Sequence, residues 1–288
     1  MNLAAPAWLK ILFAALMACS VTAQANQPLR LGLVAFIGEA TNFHAVEQGY
    51  FEAEGLDVSV TINQSGFQAL PRLLAGEFDL CTAEPTPIIY AALAHSEKLA
   101  DFRIVASILE SSSINTIVAL DKRRVSSLQD LQGKRLGLAK GTSIDYFWHL
   151  VSTNYGIDRD SVQTINIQVP DMAQAARQGN IDAAVVWRPY HRALLREAPK
   201  HGLQLTIGRV YTTSWMAVAN KAFLESRPEA VIAYLRALAR AEADLERDPG
   251  AVAQSHARWL DADPQALVED YGLLDFDLSL TEGLLISL

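Results

Sequence analysis

The stretch GKRLGLAKGTSIDYFWHL, Gly133 to Leu150, reads as a strand, a glycine turn and a helix. Arg135 to Ala139 is short and apolar. Lys140-Gly141-Thr142-Ser143 follows, then a run with aromatic residues at Tyr146, Phe147 and Trp148. The opening of this stretch is also a repeat. Arg135-Leu136-Gly137-Leu138 restates Arg30-Leu31-Gly32-Leu33, and Gly156-Ile157-Asp158 echoes Gly55-Leu56-Asp57. Gly179-Asn180-Ile181-Asp182 then echoes Gly76-Glu77-Phe78-Asp79. One such match is expected of any strand–helix–strand unit, which places Gly at helix ends and turns before strands. Three landmarks in the same order point to two lobes of similar build.

Outward from that repeat, strands and helices alternate. LRLGLVAF, LDVSVTI, FDLCTAE and FRIVASILE read as strands, and FHAVEQGYFEAEG, FQALPRLLAG and PIIYAALAH read as helices. The alternation predicts an α/β fold with mainly parallel sheets. SINTIVALDKRRVSSLQDLQG carries the chain from the first unit to the second, and LQLTIGRVYTTSWMAVANKAF is the return crossing. The expected division is residues 26–115 with 213–288 in one lobe and 116–212 in the other, with a cleft between them. Beyond the return, Ser226-Arg227-Pro228-Glu229 has the form of a capping box, and Asp248 and Asp263, each followed by Pro, mark further helix starts.

Composition narrows the function. The chain has 288 residues, half of them apolar, and a formal net charge of −8. A nucleic-acid partner would call for a basic surface, so none is expected. At the N-terminus, Lys10 precedes the apolar run Ile11 to Ala18, too short to span a bilayer, and Ala23-Gln24-Ala25 has the form of a cleavage site. Residues 1–25 are therefore expected to be an export signal. Leu16-Met17-Ala18-Cys19 instead resembles a lipobox, which would leave an acylated Cys19, and both readings stay open. Cys81 would be the lone remaining cysteine, a buried and inert thiol.

In open α/β sheets, ligands sit beyond the carboxyl ends of the strands. The loops there are FIGEATNFHA, TAEPTP, KGTSID and VVWRPYH. A helix N-terminus offers unpaired N–H groups and partial positive charge. Gly141 allows close approach, and Thr142 and Ser143 add hydroxyls, so the junction suits an oxyanion. The competing reading is that one of these hydroxyls caps the helix. Trp187 offers an aromatic wall or core packing, and Arg188 a charge. Glu84 offers an acceptor for an amine or ring N–H, or a solvated cap. Ser111 to Ser113 and Ser214-Trp215 stand at the two crossings, where they read as hydrogen-bond donors or as linkers. The Lys precedes the Gly, so KGTS is not a nucleotide P-loop. No G-x-S-x-G elbow, H-E-x-x-H or Cys/His cluster occurs, so no catalytic or metal set is expected.

EQGYFEAEGLDVSV, LLAGEFDLCTAEPTP, SLQDLQGKRLGLAKGTS, NYGID and ARQGNIDAAVVWRPY together resemble the solute-binding proteins of bacterial ABC importers. The subgroup includes binders of aliphatic sulfonates, taurine, nitrate and thiamin-pyrimidine precursors. The resemblance implies a type II periplasmic-binding-protein fold: two α/β lobes, two crossing segments and a ligand between them. It also implies a periplasmic, monomeric receptor without cofactor or metal, which docks on a membrane permease. Family ligand positions fall on Phe36, Asn42, His44, Glu84, Thr86, Gly141, Thr142, Ser143 and Trp187, although His44 by itself reads as a polar helix residue; Ser112 and Trp215 join them from the crossings. Glu84 departs from anion-binding relatives with small or hydroxyl residues there. It favours a ligand with both an anionic and a donor end, taurine-like or an aminopyrimidine. Similar proteins continue past this chain's LTEGLLISL, which leaves the packing of the first lobe open. A ligand-sensing module for a membrane kinase, and a pyrimidine-synthase-like enzyme on the same scaffold, are the alternatives.

Overall fold

The repeated sequence forms a repeated ion-pair clamp. In this computed structural model, which describes residues 26–94 and 101–279, the Arg30 amide and guanidinium both donate to the Asp79 carboxylate, and Arg30 Nη1 donates to Gly76 O at 2.7 Å. Arg135 binds Asp182 in the same way, with Nη1 on Gly179 O at 2.6 Å. Each clamp ties a first strand to the turn before the third. The repeated Gly inside each first strand has a packing cause: a Cβ on Gly32 would stand 2.4 Å from the Phe78 ring, and one on Gly137 2.9 Å from Met172 Sδ.

The chain runs β1 (Gln27–Val34), α1 (Ala40–Glu47), α2 (Tyr50–Ala53), β2 (Leu56–Asn63), α3 (Gly66–Leu74), β3 (Leu80–Ala83), α4 (Pro85–Ala94) and β4 (Phe102–Ser111). It crosses into β5 (Asn115–Ala119), β6 (Arg135–Leu138), α5 (Ser143–Asn154), β7 (Gln163–Asn166), α6 (Met172–Arg177), β8 (Ala183–Trp187), α7 (Tyr190–Glu197) and β9 (Leu203–Gln204). The return is β10 (Thr213–Asn220), followed by α8 (Lys221–Ser226), α9 (Pro228–Arg247), α10 (Pro249–Leu260), α11 (Pro264–Tyr271) and β11 (Asp275–Ser279).

The first sheet has the order β11-β4-β10-β3-β1-β2 and the second β7-β6-β8-β5-β9. The parallel trio β2-β1-β3 matches β7-β6-β8, and β10 and β5 then join antiparallel beside β3 and β8. The sheets are therefore mixed rather than mainly parallel, because the strands entering from each crossing run against the trio. β1 is buried from Leu31 onward on both faces, as befits a central strand under helices, whereas the edge strand β2 is largely uncovered.

The described chain changes sheet between Ser111 and Asn115 and again between Gln204 and Thr213, giving two lobes joined by two crossings. Asp248 and Asp263 cap α10 and α11 through Ala251 N and Gln265 N. Ser226 does not form the expected capping box. Its hydroxyl bonds back to Ala222 O within α8, and Arg227 takes the cap position of α9. The signal segment with Cys19, and the end LTEGLLISL, lie outside the described residues. No described helix is long and apolar enough to cross a membrane.

Candidate functional site: the interlobe cleft

The loops at the carboxyl ends of the strands meet across a closed cleft. The first lobe supplies Phe36, Ser65, Glu84 and Trp215, and the second supplies Thr142 and Trp187, around an inner cavity of about 10 Å³. Such a space admits about one water. Its walls are aromatic. Phe36 lies 4.6 Å from Trp215 and meets Trp187 nearly edge-on at 6.4 Å, between ring centroids.

Glu84 follows β3 and is buried. Thr213 Oγ1 donates to its Oε1 at 3.3 Å. The Ser143 amide and hydroxyl approach from the N-terminus of α5, although the Ser143 hydroxyl completes no hydrogen bond. Burial pushes the Glu84 carboxyl up to about 7, against the opposing pull of Ser143 and Thr213. The oxyanion position at this helix start thus already faces a carboxylate of the chain itself. Neither hydroxyl caps the helix: Thr142 Oγ1 donates to Ala139 O at 2.7 Å. The Lys140 amide is taken by Asn166 Oδ1 and the Gly141 amide by Asp145 Oδ2, each at 3.0 Å.

Gly141 has φ +79°, and a Cβ there would stand 2.9 Å from the Phe67 ring. The close approach expected for a ligand is made instead by Phe67 of the opposite lobe. Two buried donors that line the cavity, Ser65 Oγ and Trp187 Nε1, have no partner, while the Trp215 indole acts on Glu39 and the Ser143 hydroxyl on Glu84, neither completing a hydrogen bond of full geometry. A buried donor left unmade is costly, so an acceptor brought into the closed cleft beside Ser65 and Trp187 would be favoured there.

Other predicted positions sit elsewhere. Asn42 Nδ2 donates to Glu39 at 2.7 Å, and Tyr234 Oη donates to Asn42 Oδ1 at 2.9 Å. His44 lies with Nδ1 3.0 Å from Ser255 Oγ and Nε2 3.1 Å from Asp244. Both residues fasten α1 to α9 and α10, so their polar atoms are engaged behind the cleft wall. Thr86, by contrast, is buried against Tyr211, which also meets Thr213 Oγ1 at 3.4 Å, so it stays in the neighbourhood of Glu84. Ser112 lines a separate hollow with Arg209 and Thr212. Arg188 offers no free charge to a ligand. Its Nη1 donates to Asp270 Oδ1 at 2.7 Å and its Nε to Ser113 O at 2.9 Å. Burial of the Cys81 thiol pushes its pKa up, which disfavours the nucleophilic thiolate. Among the described residues, no group of His, Cys, Asp and Glu is placed to hold a metal.

Sequence reasoning missed Ser65, which precedes α3 in the cleft, and Glu39 behind it. The Ser65 signal was present: NQSGF is a second strand–Ser–Gly–helix junction, like KGTS. Glu39 accepts from the Val34 amide at 3.2 Å, from Asn42 and from the Thr82 hydroxyl, yet burial still raises its carboxyl to about 7. No local pattern announces it, because its partners are scattered along the chain.

The relatives agree with this architecture. Over 205 residues the chain is 27% identical to a protein of Bacillus subtilis (strain 168) provisionally named as aliphatic sulfonates-binding, across 68% of this chain and 59% of that one. Over 196 residues it is 26% identical to the taurine-binding periplasmic protein of Escherichia coli (strain K12), across 64% of this chain and 56% of that one. The chain thus matches less than two thirds of these relatives' length. The solved alkanesulfonate-binding protein SsuA from Xanthomonas axonopodis pv. citri, bound to MOPS, superposes with a TM-score of 0.76 at 18% identity, over 90% of this chain and 89% of that one. At that identity the likeness establishes the fold: two lobes of the periplasmic-binding-protein type. The NMT1/THI5-like sequence profile matches residues 39–252, most of the chain, and the protein belongs to that family.

Proposed function

We propose that this chain is the extracytoplasmic solute-binding receptor of an ABC importer, carrying out no chemistry of its own. It captures a small organic solute with a donor end and an acceptor or anionic end, taurine-like or an aminopyrimidine, and delivers it to a membrane permease. Export through the N-terminal segment, with or without acylation of Cys19, belongs to the same reading. The names of the relatives support the solute class, and the cleft supports the mode of capture.

One observation carries the reading: a buried carboxyl group, Glu84, stands beside the unpartnered donors Ser65 Oγ and Trp187 Nε1 where the two lobes close. A solute offering an N–H to Glu84 and an acceptor edge to Ser65 and the Trp187 indole satisfies both sets. Capture follows from differential affinity, since a solute touching both lobes favours the closed state. Calorimetry against sulfonates, amino sulfonates, amino acids and aminopyrimidines is expected to give micromolar or tighter binding to a donor-ended member, about −8 kcal/mol. Absence of binding across all four classes would contradict the receptor.

A further inference from the structure

Glu39 is fully buried behind the aromatic wall of the cleft and does not line the cavity. It ends a short 3-10 turn, Ile37–Glu39, whose N-cap residue is Phe36, and its amide donates to Phe36 O at 3.1 Å. His256 Nε2 of α10 stands 3.1 Å from the same carbonyl. The Glu39 carboxyl gathers donors from four elements: the Val34 amide at the end of β1, Asn42 Nδ2 of α1, Thr82 Oγ1 of β3 and the Trp215 indole of β10. β3 and β10 pair Thr82 with Ala217 and Ala83 with Met216, so alternation puts Thr82 and Trp215 on one face of the sheet.

The two indoles of the cleft therefore differ. Trp215 commits its N–H to Glu39 and gives its ring to the cavity, 4.6 Å from Phe36. Trp187 Nε1 has no partner, so it is the indole able to donate to an acceptor brought into the cleft. Every side-chain partner of Glu39 is a donor. A carboxylate accepts from all four, whereas an amide of the same size sets its own NH₂ against some of them.

We infer that Glu39 is a positioning residue for solute binding: by holding the Trp215 N–H and the Phe36 turn it fixes the first lobe's aromatic wall, and it leaves Trp187 as the indole that donates to the solute. This rests on the receptor reading. Glu39 touches no solute itself and acts through Trp215, so its titration is read at that indole. Burial raises the Glu39 carboxyl to about 7. The titratable groups facing it are Cys81 of β3 and Tyr234 of α9, and burial keeps both protonated. His256, across Phe36, is kept neutral, held down to about 3 by burial. Glu84, which also titrates near 7, takes its donors from Ser143 and Thr213 instead.

NMR of the isotope-labelled protein, free of solute, tests the hold on Trp215. The Trp215 indole N–H resonance, assigned by its loss in Trp215→Phe, is expected to titrate across about pH 5.5 to 8.5 with a midpoint near 7. Thr82→Val removes a donor that favours the ionised carboxyl, so it should move that midpoint upward, and Glu39→Gln should abolish the titration. A resonance that stays level in the unmodified protein, an unmoved midpoint in Thr82→Val, or a titration that survives Glu39→Gln overturns the inference. Calorimetry with taurine and with 4-aminopyrimidine reads the binding role. Glu39→Gln is expected to weaken whichever binds by about tenfold, and by less than about twofold in the Trp215→Phe background, because residues that act through one another are not additive. Equal losses in the two backgrounds make Glu39 a support of the fold alone and overturn the inference as well. Failure of both compounds to bind the unmodified protein counts instead against the receptor reading, while the NMR titrations still decide whether Glu39 holds Trp215.

Discussion

Replacing Asp270 with alanine is expected to lower folding stability by about 3–5 kcal/mol, the usual consequence of stripping one partner from a buried ion pair. Asp270 is 1% and Arg188 10% exposed at the side chain, and their contact is 2.7 Å. Arg192 also reaches Asp270, at 3.2 Å, and Glu269 at 3.1 Å. The cluster therefore joins α7 of the second lobe to α11 of the first, and Arg188 adds the crossing segment through Ser113 O. His191 stays neutral beside it, held down to about 4 by burial and then by Arg188. Without Asp270, Arg188 keeps its charge in a buried place with only carbonyl and imidazole partners. Urea unfolding of Asp270→Ala measures the loss; a shift below about 1 kcal/mol would mean the pair is solvated and the hinge is held otherwise. Replacing both partners with apolar residues of similar size should recover most of the loss, since a buried pair and a packed apolar pair are of comparable stability.

Glu84→Gln is expected to act in opposite directions on folding and on binding. In the folded chain burial raises the Glu84 carboxyl from its ordinary 4.5 to about 7. The folded state then holds a proton that the unfolded state has released, so stability falls as pH rises from about 4.5 to 7. Glutamine removes that fall. The variant should match the unmodified protein near pH 5 and exceed it at pH 8 by on the order of 3 kcal/mol, at 1.36 kcal/mol per unit. Affinity for a donor-ended solute should drop by 2–5 kcal/mol, roughly 30-fold to several thousand-fold, because the buried charge that meets the donor is gone. Thermal unfolding at the two pH values and calorimetry at pH 8 report the two effects separately. A variant that is both less stable at pH 8 and unchanged in affinity would place Glu84 outside the site.

The two-lobe build was legible because the repeat has a mechanism. Arg30 and Arg135 each clamp the Asp that ends the third landmark, and a packed ring or thioether demands each strand Gly. The cleft loops were legible as places, because they follow from which end of each strand they occupy. Their occupants were not. The phrase KGTS suggested hydroxyl caps and an open anion seat. The coordinates bring Glu84 to that seat and Phe67 to Gly141, across sequence separations that no local pattern encodes. Arg188 read as a free charge because its partner, Asp270, arrives from a helix far along the chain. Asn42 and His44 were grouped with the ligand loop by proximity in sequence, while helical geometry turns them toward α9 and α10.

The claim beneath all of this is that a solute's donor end meets an ionised Glu84 inside the closed cleft, and the pH dependence of affinity tests it most directly. In the empty protein Glu84 releases its proton near pH 7, so binding a donor or cationic head below that pH requires deprotonation. Calorimetric affinity of the unmodified protein for an amine-bearing solute is predicted to weaken as pH falls from 7.5 to 5.5, approaching tenfold per unit at the acid end. Affinity that stays level, or strengthens toward pH 5.5 as an anion seated on a protonated acid would require, contradicts the account.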